Sequence, residues 1–289
     1  MKLTFLGTGA GEGYPGFWCR CEHCTYARTH GGRNIRAYSA AVLDDTVLLD
    51  CGPTAFPNAS RFGKDLTQAQ ALLITHPHED HVLPLQLMWR AADESTHALP
   101  YAERTQHGGA RFTPIQDLTI YGNAFTEEAL RRIWDADTFQ KNRMTFVRIQ
   151  EGEAFSACGY RITPVRGHHG QPGFSHSYII EKDGRCLLYA LDSGRFDPDQ
   201  QEILRQHVYH TVIMEGTYGL NSAGDENHMS LKKNLEWLQF FHYNHLCGEG
   251  FRFYLTHMSP HWCPPHDQYV DIAGKQGLEV AYDGLEIEI

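Results

Sequence analysis

The residues with the clearest chemical potential in this chain follow a short apolar run at positions 72–74. Three imidazoles and the carboxylate of Asp80 come within the next seven residues, which read Thr75-His76-Pro77-His78-Glu79-Asp80-His81. A turn at the end of a strand can direct His76 and His78 at one metal ion, and Asp80 and His81 at a second. Imidazole suits zinc, iron or manganese, and a carboxylate supplies negative charge that holds two cations close together. A histidine-rich surface loop is the alternative, but four ligand groups directly after a strand favour a dinuclear site.

A second group of metal-binding residues lies near the N-terminus, in a loop at about residues 17–26. Cys19, Cys21 and Cys24 form a C-x-C-x-x-C pattern there. Tetrahedral zinc needs a fourth ligand, which must come from elsewhere in the chain. In a cytoplasmic protein such a cluster indicates a metal site before it indicates disulfides. Three free, buried cysteines are the alternative.

Composition narrows the classes of partner. The 289 residues carry a formal net charge of −10 and are numerous enough to bury a sizeable core. No apolar run approaches the ~20 residues of a membrane span, and the first apolar stretch is too short for a secretory signal, so we expect a cytoplasmic protein without a membrane partner. No Lys/Arg-rich run is present, so we expect no nucleic acid, whereas a small anionic substrate remains compatible.

The elements that must position these residues are short strands that end in polar groups. Strands are predicted at residues 3–6, 40–43, 47–49, 72–74, 118–121, 144–149, 160–165, 177–181, 186–190, 211–215 and 251–255. Helices are predicted at residues 83–92 and 126–137, and a third is capped at its N-terminus by Ser230. Residues 93–114 show no clear period and are predicted to form a lid. Asp50 follows one strand, where it could orient a metal-bound histidine or simply form a turn.

The spacing His-x-His-x-Asp-His, the opening Leu6-Gly7-Thr8-Gly9 and the cysteine loop together resemble the metallo-β-lactamase superfamily. Within it, the chain is most similar to the PhnP-type phosphoribosyl cyclic phosphate phosphodiesterases. The resemblance extends from about residue 3 to residue 257. It implies an α/β (α+β) fold, a four-layer αββα sandwich, which we expect to form a single domain over residues 1–289.

The resemblance also implies a complete set of metal ligands. The third ligand of the first metal falls in the loop after residue 165, where the register favours His169 over His168. Asp192 matches the carboxylate that bridges the two metals, and His257 matches the last ligand of the second metal. The predicted dinuclear site is therefore made of His76, His78, Asp80, His81, His169, Asp192 and His257.

The cysteine loop resembles a structural zinc site that the family closes with a histidine near the C-terminus. In this chain Pro260 occupies the position of that histidine. His261, one residue later, is preferred as the fourth ligand, with Cys263 as its rival.

For function, the resemblance implies two divalent ions, Zn²⁺ or Mn²⁺, that share a hydroxide, together with one structural Zn²⁺. The predicted reaction is hydrolysis of a small, cyclic or linear, anionic phosphate ester, and a homodimer is compatible with the sequence. Asp80 and His228 are the predicted catalytic residues, with His228 acting on the leaving group. Alternatives are a lactone or thioester hydrolase, a ribonuclease Z-like nuclease, a redox di-iron protein and a non-catalytic metal-binding protein. The redox alternative is disfavoured because related redox proteins usually carry a carboxylate where His78 stands.

Overall fold

A computed structural model of the chain describes residues 1–90, 116–221 and 226–289, together with Glu103 and Gln106. Within these ranges the strands form two seven-stranded sheets. The first sheet has the order β14-β1-β2-β3-β4-β5-β6. Its strands are β1 (Lys2–Gly7), β2 (Ala40–Leu43), β3 (Val47–Leu49), β4 (Ala71–Leu73), β5 (Leu118–Gly122), β6 (Met144–Arg148) and β14 (Glu286–Glu288).

The second sheet has the order β13-β12-β11-β10-β9-β8-β7. Its strands are β7 (Phe155–Ala157), β8 (Tyr160–Arg166), β9 (His176–Lys182), β10 (Arg185–Ala190), β11 (Tyr209–Glu215), β12 (Cys247–Thr256) and β13 (Glu279–Val280). Strands β3 to β6 of the first sheet run parallel to one another, as do β10 to β13 of the second. Parallel neighbours end at the same edge of a sheet, so residues that follow these strands are brought together.

Helices cover the outer face of each sheet. In the described residues they are α1 (Glu22–His30), α2 (Ala55–Arg61), α3 (Pro84–Leu87), α4 (Ala124–Arg131), α5 (Ala136–Lys141), α6 (Pro198–Leu204), α7 (Leu231–Tyr243) and α8 (His266–Gly274). Short 3₁₀ turns lie at Gly32–Asn34 and Leu66–Gln68. None of the helices in the described ranges has the length and apolar character needed to traverse a bilayer.

Successive side chains of each strand point to opposite faces of its sheet, and this alternation divides the core into layers. Leu73 of β4 and Leu187 of β10 point into the core between the sheets. Their neighbours face outwards: Leu72 packs beneath the helices of the first sheet, and Leu188 beneath those of the second. The predicted αββα sandwich is thereby confirmed.

Three predicted elements differ from the structure. The helix expected at residues 126–137 is two helices, because Asn123 caps α4 through Thr126 N at 2.9 Å and Asp135 caps a new helix, α5, through Thr138 N at 2.8 Å. Of the helix expected at residues 83–92, the described part, which ends at residue 90, contains only the single turn α3. The cysteine loop contains the start of α1, which was not predicted and carries Cys24. The predicted lid at residues 93–114 lies outside the described residues, apart from Glu103 and Gln106.

Candidate metal centre

The predicted ligands lie at one edge of the two sheets, each on a segment that directly follows a strand. The turn His76–His81 follows β4, His169 follows β8, Asp192 follows β10 and His257 follows β12. Short loops at strand ends hold side chains firmly because the backbone before them is fixed by the sheet. Residues separated by up to 181 positions in the sequence therefore meet in one place.

The first cluster consists of three histidine nitrogens. His76 Nε2 lies 2.8 Å from His78 Nδ1, and His169 Nε2 lies 3.3 Å from the same His78 atom. The neighbouring His168 turns its Nδ1 to within 2.9 Å of the carbonyl oxygen of Glu226. The structure thus brings His169, and not His168, to the other two histidines.

The second cluster combines two histidines with carboxylates. The Nε2 atoms of His81 and His257 are 3.2 Å apart, and Asp80 Oδ2 lies 3.3 Å and 3.5 Å from them. Asp192 Oδ2 lies 2.8 Å from His81 Nε2 and 3.1 Å from His257 Nε2. Asp192 also groups with His76 within 4.8 Å, so its carboxylate lies between the two clusters.

The nitrogen and carboxylate oxygen atoms of the two clusters are of the kinds that bind divalent cations. Asp192 Oδ2 is buried and faces the Nε2 atoms of His81 and His257 at 2.8 Å and 3.1 Å. Imidazole nitrogens that converge at such distances share a proton when no metal is bound, and a cation can take the place of that proton. Burial lowers the pKa of His76 well below its usual value, which keeps the ring in the neutral form that binds metal. Nitrogen and carboxylate donors together suit zinc and neighbouring first-row metals.

Two contacts orient the histidines of the second cluster. Asp50 Oδ2 accepts a hydrogen bond from His81 Nδ1 at 2.8 Å, which confirms that this aspartate contacts a ring nitrogen of the motif. Thr217 Oγ1 lies 2.9 Å from His257 Nδ1 and donates to the carbonyl oxygen of His257 at 3.0 Å. With Nδ1 engaged in this way, the Nε2 atom of each ring is turned towards the cluster, where a metal would bind.

Three of the site's side chains lie on residues with left-handed backbone conformation. Asp50, Asp192 and His257 have φ angles of 58°, 47° and 57°, and each comes within two residues of the end of a strand. For residues other than glycine this conformation costs about 1 kcal/mol or more. It turns the chain sharply, so that the side chain points across the sheet edge into the cluster.

His228 lies beside the clusters and is held by a carboxylate that was not predicted. Its Nδ1 is 3.0 Å from Glu215 Oε1 and 3.5 Å from Asp192 Oδ1. Glu215 ends β11, is fully buried, and accepts a hydrogen bond from Ser193 N at 3.0 Å. Burial alone would raise the pKa of Glu215. The neighbouring His228 lowers this pKa by more than burial raises it, so the net shift is downwards. Ser230 caps α7 through Lys233 N at 3.3 Å, as predicted, and so fixes the segment that carries His228.

The cysteine cluster lies apart from this centre along the sequence. The sulfur atoms of Cys19, Cys21 and Cys24 lie within 4.8 Å of one another, a geometry that could hold a metal ion. Pro260 packs near this cluster. A Cβ atom added to Gly16 would lie 3.6 Å from Pro260 Cγ and 3.8 Å from Cys24 Sγ.

The two candidates for the fourth zinc ligand have other contacts. His261 places Nε2 4.0 Å from Glu12 Oε1, with about half of the side chain exposed. Cys263 is buried and donates its thiol proton to the carbonyl oxygen of Gly216 at 3.1 Å. The fourth ligand therefore stays a prediction.

The sequence model of the beta-lactamase superfamily domain matches residues 45–258, which contain the whole dinuclear cluster. The chain belongs to the beta-lactamase superfamily.

The chain is similar to curated proteins that are named ribonuclease Z. The ribonuclease Z of Listeria innocua is 28% identical over 197 residues, which are 66% of this chain and 52% of that protein. The chain therefore spans about half the length of the curated relatives it matches. Because these relatives are named ribonucleases, they do not support the expectation that this chain has no nucleic-acid partner.

Two solved structures share the fold over the whole of this chain. A new diphosphatase from the PhnP family superposes with a TM-score of 0.72 at 22% identity, covering 100% of this chain and 96% of that one. Zn²⁺-bound PqqB from Methylobacterium extorquens superposes with a TM-score of 0.74 at 18% identity, covering 100% of both chains. At this identity the likeness shows the fold alone, and the second of these structures holds zinc.

Proposed function

We propose that this beta-lactamase superfamily chain is a metal-dependent hydrolase of small phosphodiesters, cyclic or linear. The observation that carries this proposal is the Glu215–His228 pair beside the Asp192 carboxylate. A histidine backed by a buried carboxylate can deliver a proton to an alkoxide, and alkoxides are the poor leaving groups of alkyl phosphodiesters. The PhnP-family and ribonuclease Z relatives also support phosphate ester chemistry.

In this proposal the ligand residues are divided between two sites. His76, His78 and His169 would hold one divalent cation, Asp80, His81 and His257 a second, and Asp192 would touch both. Such a pair of cations supplies positive charge for the phosphate oxygens and lowers the pKa of water towards ~7. The cysteine cluster would hold a separate structural zinc ion.

The chain's own residues would position the substrate and move the proton. His228 has its Nδ1 at Glu215, so proton transfer to the leaving oxygen would use the opposite nitrogen, Nε2. The Glu215 carboxylate stabilises the positive charge of the protonated ring and keeps it turned towards the site. Ser193 N and the backbone around β11 hold Glu215 in place, so the pair needs no rearrangement before reaction.

The experiment that tests this proposal is a substrate panel with the metal-loaded protein. We expect hydrolysis of bis-p-nitrophenyl phosphate and of ribose cyclic phosphates, and no turnover of a homoserine lactone or a thioester. Chelator-treated protein is the control for contaminating enzymes. Activity confined to the lactone or the thioester would overturn the proposal in favour of that hydrolase class.

A second candidate, a ribonuclease Z-like nuclease, is favoured by the names of the curated relatives. It is tested in the same panel with a precursor transfer RNA. Cleavage of the RNA at rates far above those for the small diesters would replace the first proposal by the second.

A further inference from the structure

A row of aromatic rings leads from the proposed metal centre to the surface on the side of His228. The rings of His228 and His257 lie 6.2 Å apart and are stacked at 19°. Tyr218 meets His228 edge-on, with ring centroids 5.4 Å apart, and Trp262 meets Tyr218 edge-on at 6.0 Å. Trp262 is the outermost of these rings and keeps 44% of its surface exposed.

The backbone holds this row in place from two sides. Tyr218 N donates to the carbonyl oxygen of Met229 at 2.9 Å, which ties the segment to the loop that carries His228. Leu220 N donates to the carbonyl oxygen of Trp262 at 3.1 Å, which ties it to the loop after β12. Between them Gly219 has a φ of 41°, and a Cβ there would lie 2.4 Å from the Trp262 carbonyl oxygen. A side chain at position 219 would therefore push the two loops apart.

Among the described residues, the acidic side chains Glu12 and Glu226 near this row are engaged with other groups. Glu12 accepts a hydrogen bond from the Ser259 hydroxyl and faces His261, the residue before Trp262. On the other side, Arg195 is bonded to Glu226, two positions before His228. A polyanionic tail that extended this way would meet carboxylates, whereas an uncharged planar ring would meet an exposed aromatic surface.

We propose that Tyr218 and Trp262 form a subsite for a planar, uncharged aromatic ring, such as a nucleobase or an aryl group, on the leaving side of the phosphodiester. The inference rests on the proposed function, because His228 defines the leaving side. A ring joined to the leaving oxygen through a sugar would pass His228 and lie against Trp262. Aromatic side chains bind bases in this way with little dependence on base identity, since every base has a π-face.

The test compares two ligands that differ only in the base, AMP and ribose 5-phosphate, with the zinc-loaded protein. Dissociation constants are measured by calorimetry for the wild type and for Trp262→Ala, Trp262→Phe and Tyr218→Leu. We expect Trp262→Ala to weaken AMP about five-fold or more and to leave ribose 5-phosphate unchanged. Trp262→Phe, which keeps an aromatic face, should retain most of the preference, and Tyr218→Leu should lose part of it.

Trp89→Ala is the matched control, because Trp89 is also exposed but borders an outward groove with Phe56 and Leu66. It should bind both ligands as the wild type does. Equal weakening of AMP and ribose 5-phosphate in Trp262→Ala, or no change in either, would overturn the subsite. The two proposals can fail separately. If the protein prefers AMP through Trp262 but hydrolyses no diester, the proposed function is rejected and the subsite is retained. If the protein hydrolyses diesters but shows no such preference, the subsite is rejected and the proposed function is retained.

Discussion

Asp50 Oδ2 lies 2.8 Å from Nδ1 of His81, and the same carboxylate accepts a hydrogen bond from Thr75 N through Oδ1 at 2.8 Å. Asp50 thus joins the end of β3 to the turn that follows β4. It places a proton on Nδ1 of His81 and leaves Nε2 to face Asp192 and His257. One residue therefore sets both the position and the tautomer of a proposed metal ligand.

Substituting Asp50 by Asn should weaken the second metal position. An amide can present its NH₂ group to Nδ1 and favour the wrong tautomer, and loss of such a contact typically lowers metal affinity 10- to 100-fold. Zinc titration by calorimetry measures this directly. Asp45→Asn is the control, because Asp45 is an exposed aspartate with a similar φ of 56°. Unchanged zinc affinity in Asp50→Asn would show that the contact is only structural.

Glu215 and His228 should act as one unit. We expect His228→Ala to slow hydrolysis of an alkyl phosphodiester about 10²–10⁴-fold without loss of metal. Glu215→Gln should cause a loss of the same order, and the double variant should be little slower than His228→Ala alone. Rate constants with a good and a poor leaving group provide the test. Additive losses, or an unchanged rate with the poor leaving group, would remove the pair from the mechanism.

The cysteine cluster should contribute one zinc ion per chain and should not contribute to the chemistry. Cys24→Ser replaces a buried thiol of α1 and should lower the zinc content by about one ion per chain, with reduced thermal stability. Cys158→Ser, at a partly buried cysteine of the β7–β8 turn, is the control and should keep the full zinc content. Equal zinc content in the two variants would mean that the sulfur atoms are free thiols.

Asp283 should make the stability of the fold depend on pH. Burial raises the pKa of Asp283 to about 6, although Thr8 Oγ1 and Ala37 N donate hydrogen bonds to its carboxylate, each at 2.7 Å, and the buried Arg36 lies nearby. The folded state then binds a proton at pH 5 that the unfolded chain, with a pKa near 3.9, has released. The contribution to stability is complete below about pH 4 and is lost as the pH rises through about 6.

The Asp283→Asn variant measures this contribution by difference. Between pH 4 and pH 6.5 the wild type should lose up to about 3 kcal/mol of unfolding free energy relative to the variant. His266, whose pKa burial lowers to about 4, titrates in the opposite direction, but it is present in both proteins and cancels. Urea unfolding of chelator-treated protein at several pH values gives the two curves. Parallel curves would contradict the raised pKa.

The residues that meet at the sheet edge could be found in the sequence because His76, His78, Asp80 and His81 lie in one motif of fixed spacing after a strand, and because a family resemblance covers the distant ones. Glu215 and Thr217 were missed for the opposite reason. Each is a single polar residue at a strand end, and its partner is 13 or 40 positions away in the chain. No local pattern distinguishes such a residue from an ordinary turn residue.

The predicted helix boundaries were wrong in two places where the sequence pattern is ambiguous. Residues 126–137 are compatible with one helix in composition, but Asp135 adopts an extended conformation and caps a second one. In the cysteine loop the polar stretch Glu22–His30 has no clear apolar face, so α1 could not be recognised from periodicity.

The most direct test of the central claim is the zinc content of the Cys24→Ser protein and of the same protein with His169→Ala or His257→Ala. Mass spectrometry after equilibrium dialysis should find about two ions per chain in the parent and about one in each double variant, because each histidine belongs to a different cluster. About one ion or none in the parent, or an unchanged count in both double variants, would contradict a dinuclear centre at this sheet edge.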